Sequence, residues 1–97
     1  MNLDLKNKNA MICGATAGIG KATAMQLAAM GASITLVARN KQKLKATLAL
    51  LPSQDNQTHS YLVADFTNPA QLKEQITAAA LKTNYHILLN NTGGPKG

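Results

Sequence analysis

Short apolar stretches alternate with longer amphipathic ones along the chain, and this alternation predicts strands and helices in turn. The apolar stretches are rich in aliphatic and β-branched residues and predict strands over residues 8–14, 32–38, 60–64 and 86–90. The amphipathic stretches repeat apolar residues three and four positions apart and predict helices over residues 19–30, 41–51 and 69–83.

Capping residues support the limits of these helices. Gly31 closes the first helix, Asn40 caps the second, and Asn68 with Pro69 begins the third. Pro52 ends the second helix, and the polar loop 53–58 that follows has no apolar anchor, so we expect it to be the most mobile segment. The residues expected on the buried faces of the second and third helices are Leu44, Leu48, Leu51, Leu72, Ile76, Ala79, Ala80 and Leu81.

The order of these elements predicts one α/β domain over residues 1–97. Strands that alternate with helices form a parallel sheet with right-handed crossovers, here a doubly wound, three-layer sandwich with strand order 3-2-1-4 that stops after its fourth strand. Such sheets bind ligands at the carboxyl ends of their strands, where the order reverses. The glycine turn after the first strand, Arg39, Asp65 and Asn91 all fall at those ends.

The turn after the first strand has the chemistry of a phosphate-binding loop. Gly14, Gly18 and Gly20 are spaced GxxxGxG between a strand and a helix. Such glycines permit a tight turn, close approach of a pyrophosphate and close packing of helix on strand. The unpaired N–H groups of the helix start attract an anion, and Thr16 can add a hydroxyl donor. The alternative is an ordinary turn between strand and helix.

The end of the second strand indicates which dinucleotide is bound. Arg39 stands there, and residues 5–54 contain no Asp or Glu that could bind an adenosine ribose and repel a 2′-phosphate. An arginine fork suits a phosphate monoester, which favours NADP(H) over NAD(H). The alternative is a solvated helix start whose basic side chains face water.

Two further polar segments follow strands. Asp65 could accept a hydrogen bond from an adenine amino group while Phe66 lies along the ring, or it could satisfy local backbone donors. Residues 90–94 (Asn-Asn-Thr-Gly-Gly) follow the fourth strand. They form either a simple polar turn or a wall of the nucleotide site.

Bulk properties exclude several other functions. The net charge of +6 invites a nucleic-acid interpretation, but only Arg39, Lys41, Lys43 and Lys45 form a cluster and the other lysines are scattered, which suits one or two phosphates better than a polynucleotide. With only 3% aromatic residues there is no platform for stacking bases, so we expect no nucleic-acid partner. No apolar run could span a membrane and no secretory signal begins the chain, which predicts a cytoplasmic protein. A single cysteine fits a reducing compartment.

The remaining titratable residues suggest no catalytic or metal centre. Cys13 lies in an apolar run and is interpreted as a buried small hydrophobe. His59 and His86 lack the spacing of metal ligands and are interpreted as surface residues at strand edges. We therefore predict no metal site.

Two segments resemble the short-chain dehydrogenase/reductase family. Residues 13–20 (Cys-Gly-Ala-Thr-Ala-Gly-Ile-Gly) resemble its TGxxxGIG fingerprint, and residues 86–94 resemble its D-x-L-x-N-N-A-G segment, with Cys13, His86 and Thr92 as departures. Ala17 stands where many NADP-preferring members have a basic residue. The resemblance implies a Rossmann fold and hydride transfer between NADP(H) and a small ketone or alcohol, as in 3-oxoacyl-carrier-protein reductases. The expected cofactor-binding residues are Gly14, Thr16, Ala17, Gly18, Ile19, Gly20, Arg39, Asn40, Asp65, Phe66, Asn91, Thr92 and Gly93.

The family's catalytic residues have no counterpart in these 97 residues. Its members use a serine and a Tyr-x-x-x-Lys pair, whereas Tyr61 is followed four residues later by Asp65, and Tyr85 by Leu89. We expect the chain to be the cofactor-binding N-terminal portion of a reductase that is homo-oligomeric at full length. The chain alone would be inactive and, with its fourth strand at a bare edge, marginally stable or self-associating. A non-catalytic dinucleotide-binding fragment is the alternative.

Overall fold

A computed structural model describes residues 4–54 and 57–90. Strands and helices alternate as expected from the sequence. In chain order they are β1 (Asn9–Cys13), α1 (Gly18–Ala29), β2 (Ser33–Ala38), α2 (Lys41–Leu50), β3 (Ser60–Val63), α3 (Pro69–Lys82) and β4 (Ile87–Asn90).

The four strands form one parallel sheet in the order β3-β2-β1-β4, which confirms the predicted topology. The register brings the ends of the strands to one level. Cys13 lies opposite Val37 and Asn90, and Ala38 lies opposite Val63. The segments that follow β1, β2 and β3 therefore leave the sheet side by side, at its carboxyl edge.

The sheet separates two apolar clusters, because successive side chains of a strand point to opposite faces. Ala10 and Ile12 of β1 pack with α1 and α2, whereas Met11 and Cys13 pack on the opposite face with α3. The result is the predicted three-layer sandwich. None of the helices in the described ranges has the length and apolar character needed to cross a bilayer.

Helix α3 covers its face of the sheet only in part, and two residues predicted to face inward do not. Leu72, Ile76 and Ala79 pack on the sheet at positions i, i+4 and i+7, as predicted. Ala80 is exposed, and the side chain of Leu81 is 84% exposed. Leu81 follows Ala79 by two residues, which is about 200° around the helix, so it points away from the sheet.

A tight corner joins α1 to β2. Gly31 has a φ of 106°, and a Cβ atom there would lie 3.1 Å from the backbone nitrogen of Lys6. The segment containing Lys6 is held against this corner by a hydrogen bond from the Leu5 N–H to the Met30 carbonyl, at 2.8 Å. Glycine is therefore required at position 31 for its backbone conformation and for space.

The loop after α2 is anchored by polar groups rather than apolar ones. The Gln57 side-chain amide donates to the carbonyl oxygens of Ala28 at 2.8 Å and Ala32 at 2.6 Å. Its carbonyl oxygen accepts from the Gln54 N–H at 2.6 Å. The prediction that this loop has no apolar anchor holds for its described residues, but the polar side chain of Gln57 attaches the loop to Ala28 and Ala32. The predicted mobility of the loop stays a prediction.

The two histidines hold the amino edge of the sheet. His59 Nδ1 accepts a hydrogen bond from the Ile34 N–H at 3.1 Å, and His86 Nδ1 accepts one from the Asn9 N–H at 3.1 Å. The Nε2 atom of His59 lies 2.7 Å from the Pro52 carbonyl oxygen. His86 is exposed as predicted, but His59 is half-buried and bridges two segments, so its interpretation as a surface residue is wrong.

Candidate functional site

A cleft of about 460 Å³ opens at the carboxyl edge of the sheet. Three segments line it, each leaving a different strand, so its position follows from the strand order. The lining residues are Gly14, Thr16 and Ala17 after β1, Ala38, Arg39, Asn40 and Lys43 at the β2–α2 corner, and Asp65, Phe66 and Thr67 after β3.

The glycine turn forms the first wall of the cleft. Gly14 and Gly18 have φ values of 74° and 58°, the left-handed region that other residues rarely adopt. The Gly14 N–H donates to the Val37 carbonyl at 2.8 Å, so the turn begins directly from the sheet. A Cβ atom built at Gly18 would meet no atom within 4 Å, which shows open space in front of the turn.

Helix α1 starts at this open space without a cap of its own. Ala17 occupies the N-cap position in an extended conformation, its side chain caps nothing, and the first turn has no acidic residue. The first N–H groups of a helix lack partners within the helix, and the helix dipole adds positive potential there. An anion such as pyrophosphate suits these donors.

The β2–α2 corner supplies positive charge. Arg39 follows β2 directly and is exposed. Asn40 caps α2 by accepting from the Lys43 N–H at 3.0 Å, as predicted, and no acidic residue lies in the first turn of that helix. This wall therefore combines two cations with a second helix start, and all three favour an anion.

The segment after β3 supplies the one carboxylate of the cleft lining. Asp65 Oδ1 accepts from the Thr67 hydroxyl at 2.7 Å and from the Thr67 N–H at 2.9 Å. These hydrogen bonds, together with the charge of Arg39, lower the pKa of the Asp65 carboxyl. The local role foreseen for Asp65 is thus present, and a ligand would have to approach Oδ2.

Phe66 joins this wall to the core. It is half-buried and packs against the cluster on the α3 side of the sheet while it also borders the cleft. A ring held in this way can offer an apolar surface to a flat ligand without having to be ordered first.

Six of the predicted site residues lie elsewhere or outside the described residues. Gly18 is exposed at the start of α1 but does not itself line the cleft. Ile19 and Gly20 do not line the cleft: Ile19 is 72% exposed at the start of α1, and Gly20 is buried within that helix. Asn91, Thr92 and Gly93 lie outside the described residues, so their predicted roles stay predictions.

Three residues that line the cleft are not among the predicted cofactor-binding residues: Ala38, Lys43 and Thr67. Lys43 comes three residues after the cap Asn40, a spacing that places both on one side of the first helical turn. Thr67 comes two residues after Asp65, the spacing of a local Asp turn. Both signals were available in the sequence.

Other reactive groups lie away from the cleft. Cys13 is buried, which confirms its interpretation as a buried small hydrophobe, and this burial raises the pKa of its thiol. Within residues 4–54 and 57–90, no group of His, Cys, Asp or Glu side chains could hold a metal ion.

Comparison with known proteins gives one consistent family. The sequence family described as short chain dehydrogenase matches residues 8–97. The very-long-chain 3-oxoacyl-CoA reductase of Anas platyrhynchos is 34% identical over 84 residues, which cover 87% of this chain and 27% of that protein. The inactive hydroxysteroid dehydrogenase-like protein 1 of Homo sapiens is 36% identical over 84 residues, covering 87% and 26% respectively.

Solved structures agree with the sequence comparison. The crystal structure of L-sorbose reductase from Gluconobacter frateurii, complexed with NADPH and L-sorbose, is 28% identical and superimposes with a TM-score of 0.83. The match covers 99% of this chain and 37% of that one. The chain therefore spans about a quarter to two fifths of the length of these proteins.

Proposed function

The chain belongs to the short-chain dehydrogenase family, and on that premise we propose that its cleft binds the adenosine and pyrophosphate portion of NADP(H). The observation that carries the proposal is the meeting of the uncapped start of α1 with Arg39 in one cleft. The first feature suits a pyrophosphate, and the second suits a phosphate monoester.

The lining residues fit the cofactor group by group. The glycine turn and the first N–H groups of α1 would hold the pyrophosphate, with Thr16 as an additional hydroxyl donor. Asp65 and the ring of Phe66 would hold the adenine, the carboxylate through its second oxygen. Arg39 and Asn40 would contact the adenosine ribose at the β2–α2 corner.

The preference for NADP(H) over NAD(H) rests on charge. A carboxylate at the end of β2 would bind the ribose hydroxyls and repel a 2′-phosphate, but Arg39 stands there instead. The guanidinium can donate two parallel hydrogen bonds to a phosphate. Among the described residues, the cleft lining and the first turns of α1 and α2 contain no acidic residue besides Asp65, which supports the same conclusion.

We infer further that the whole protein transfers hydride between NADP(H) and a small ketone or alcohol. The nicotinamide supplies the hydride, and the protein supplies binding, orientation and proton transfer. Neither tyrosine of these 97 residues is followed four positions later by a lysine, so we place the acid–base group outside them. The chain alone would then bind the cofactor without turnover, and an assembly of several copies would belong to the whole protein.

A purely binding role is the second candidate. One relative, from Homo sapiens, is named an inactive hydroxysteroid dehydrogenase-like protein. Sequence similar to this chain therefore also occurs in a protein described as inactive. If that role applies, the cleft binds the cofactor and no reduction follows in any longer form of the protein.

Titration of the 97-residue chain with NADPH and NADH tests the proposal. We expect NADPH to bind more tightly than NADH, and Arg39→Gln to weaken NADPH by about tenfold while changing NADH by less than about twofold. Lys45→Gln is the matched control, because Lys45 is exposed on α2 and does not line the cleft. Failure of both nucleotides to bind a chain with a folded circular dichroism spectrum would refute the proposed site.

A further inference from the structure

The charges that line the cleft are distributed unevenly. Arg39 and Lys43 both come from the β2–α2 corner, whereas Thr16 and Ala17 on the glycine-turn wall carry no charge. The one carboxylate, Asp65, stands on the third wall. The positive side chains that could bind an additional phosphate monoester, besides the pyrophosphate at the start of α1, therefore lie at the β2–α2 corner.

Lys43 is placed at this corner by the cap of α2. Its backbone N–H donates to Asn40 Oδ1 at 3.0 Å, which fixes the first turn of the helix. Residues three apart share one side of a helix, so Lys43 lies on the side of Asn40, and both residues line the cleft. Lys41 and Lys45 belong to the same helix and do not line the cleft.

Lys43 remains available for a ligand, because the nearby acidic residue Asp65 has other partners. Asp65 Oδ1 already accepts two hydrogen bonds from Thr67, and Asp65 interacts electrostatically with Arg39. The first turn of α2 has no acidic residue, so no neighbour within that turn neutralises Lys43. Asp65 thus balances part of the positive charge of Arg39 within the protein.

A phosphate monoester carries a charge of about −1.5 to −2 at pH 7, more than one arginine can balance. We propose that Lys43 is a second ligand of the ribose 2′-phosphate and, with Arg39, determines the specificity for the phosphorylated cofactor. This inference rests on the proposed function. The position of Arg39 at the end of β2 does not by itself imply a role for Lys43, because Lys43 lies on helix α2.

Binding of 2′,5′-ADP and 5′-AMP isolates this contribution, because the two ligands differ by the 2′-phosphate alone. Calorimetry on the 97-residue chain should show that Lys43→Gln weakens 2′,5′-ADP by about five- to tenfold and 5′-AMP by less than about twofold. Lys45→Gln removes the same charge from the same helix outside the cleft and should change both ligands by less than about twofold. The effect of Lys43→Gln should shrink when salt is raised from about 0.05 to 0.5 M.

A rescue experiment separates a direct contact from a general loss of charge. Ala17 is exposed on the opposite wall in an extended conformation, which an arginine can adopt. Adding Ala17→Arg to the Lys43→Gln variant should restore at least half of the lost factor for 2′,5′-ADP. The same Ala17→Arg change in the parent chain should bring a smaller gain.

The outcomes are distinguishable. Equal effects of Lys43→Gln and Lys45→Gln, with Arg39→Gln still selective against 2′,5′-ADP, would overturn the role of Lys43 and leave the proposed function intact. A Lys43→Gln variant that loses both ligands in parallel would overturn it as well. Absence of binding for both ligands and for NADPH in the folded parent chain would refute the proposed function itself.

Discussion

Gly18 and Gly31 provide a matched pair of substitutions that separates binding from stability. Both have positive φ values, 58° and 106°, so alanine is strained at either position. Gly18 follows the cleft-lining Ala17 and faces open space, whereas Gly31 lies against the backbone of Lys6 and does not line the cleft. We expect Gly18→Ala to abolish NADPH binding with a modest loss of stability, and Gly31→Ala to do the reverse.

The magnitudes follow from the geometry. The left-handed conformation costs alanine about 1–2 kcal/mol, and the reduced entropy of the unfolded chain returns about 0.4–1 kcal/mol, so Gly18→Ala should cost about 1 kcal/mol. At Gly31 the backbone strain is about 1–3 kcal/mol. The new Cβ would also lie 3.1 Å from the Lys6 nitrogen, a contact that only a backbone shift can relieve. Gly31→Ala should therefore cost about 2–4 kcal/mol.

Urea unfolding and calorimetric titration with NADPH would measure both effects on the same samples. The alanine methyl at position 18 would occupy the space in which the pyrophosphate approaches α1, so binding should fall by at least about 100-fold. Gly31→Ala should bind NADPH within about threefold of the parent chain once the unfolded fraction is subtracted. A Gly18→Ala variant that binds NADPH normally would refute the assignment of the pyrophosphate to this turn.

Three further predictions concern other parts of the molecule. Thr67→Val should raise the pKa of the Asp65 carboxyl, as followed by NMR titration, because it removes the hydroxyl donor. This hydrogen bond stabilises the fold above the ordinary carboxyl pKa, and its contribution is lost as pH falls through the lowered pKa of Asp65 in the folded state. An unchanged titration would contradict the hydrogen-bond assignment. Cys13 is 2% exposed and its thiol pKa is raised by burial. A disulfide reagent should therefore modify Cys13 at least about 100-fold faster in urea than in the native state. Equal rates would contradict the burial of Cys13. Leu88, 61% exposed on the edge strand β4, should promote self-association of the 97-residue chain, and Leu88→Lys should shift its sedimentation toward monomer; a parent chain that is monomeric at all concentrations would refute this.

The elements and their order could be predicted because they depend on local patterns. Aliphatic runs bounded by glycine or polar residues gave β1 and β2 within one or two residues of their observed limits. The cap residues Asn40 and Asn68 fixed the starts of α2 and α3, and both side chains accept the expected hydrogen bonds. The strand order then followed from the doubly wound arrangement that such an alternation of strands and helices indicates.

The remaining features depend on tertiary contacts that the sequence does not display. Leu81 is not among these features, because helical spacing alone places it about 200° from Ala79 and off the face shared by Leu72, Ile76 and Ala79. Besides their nearby partners Pro52 and Gln54, His59 and Gln57 form hydrogen bonds with residues 25 to 29 positions away, and no local pattern predicts these. At the site, by contrast, the sequence carries signals for both cations: Arg39 follows a strand directly, and Lys43 comes three residues after the predicted cap Asn40.

The positions of the cleft residues along the chain have a consequence for synthesis of the protein. The described lining begins at Gly14 and ends at Thr67, so none of it comes from β4. The three strands that carry it, β1 to β3, are also neighbours in the sheet. A nascent chain that has emerged from the ribosome as far as Thr67 already contains each of these residues. A nucleotide that binds at this stage would stabilise the partly made sheet by mass action, before the fourth strand is available to pair with the first.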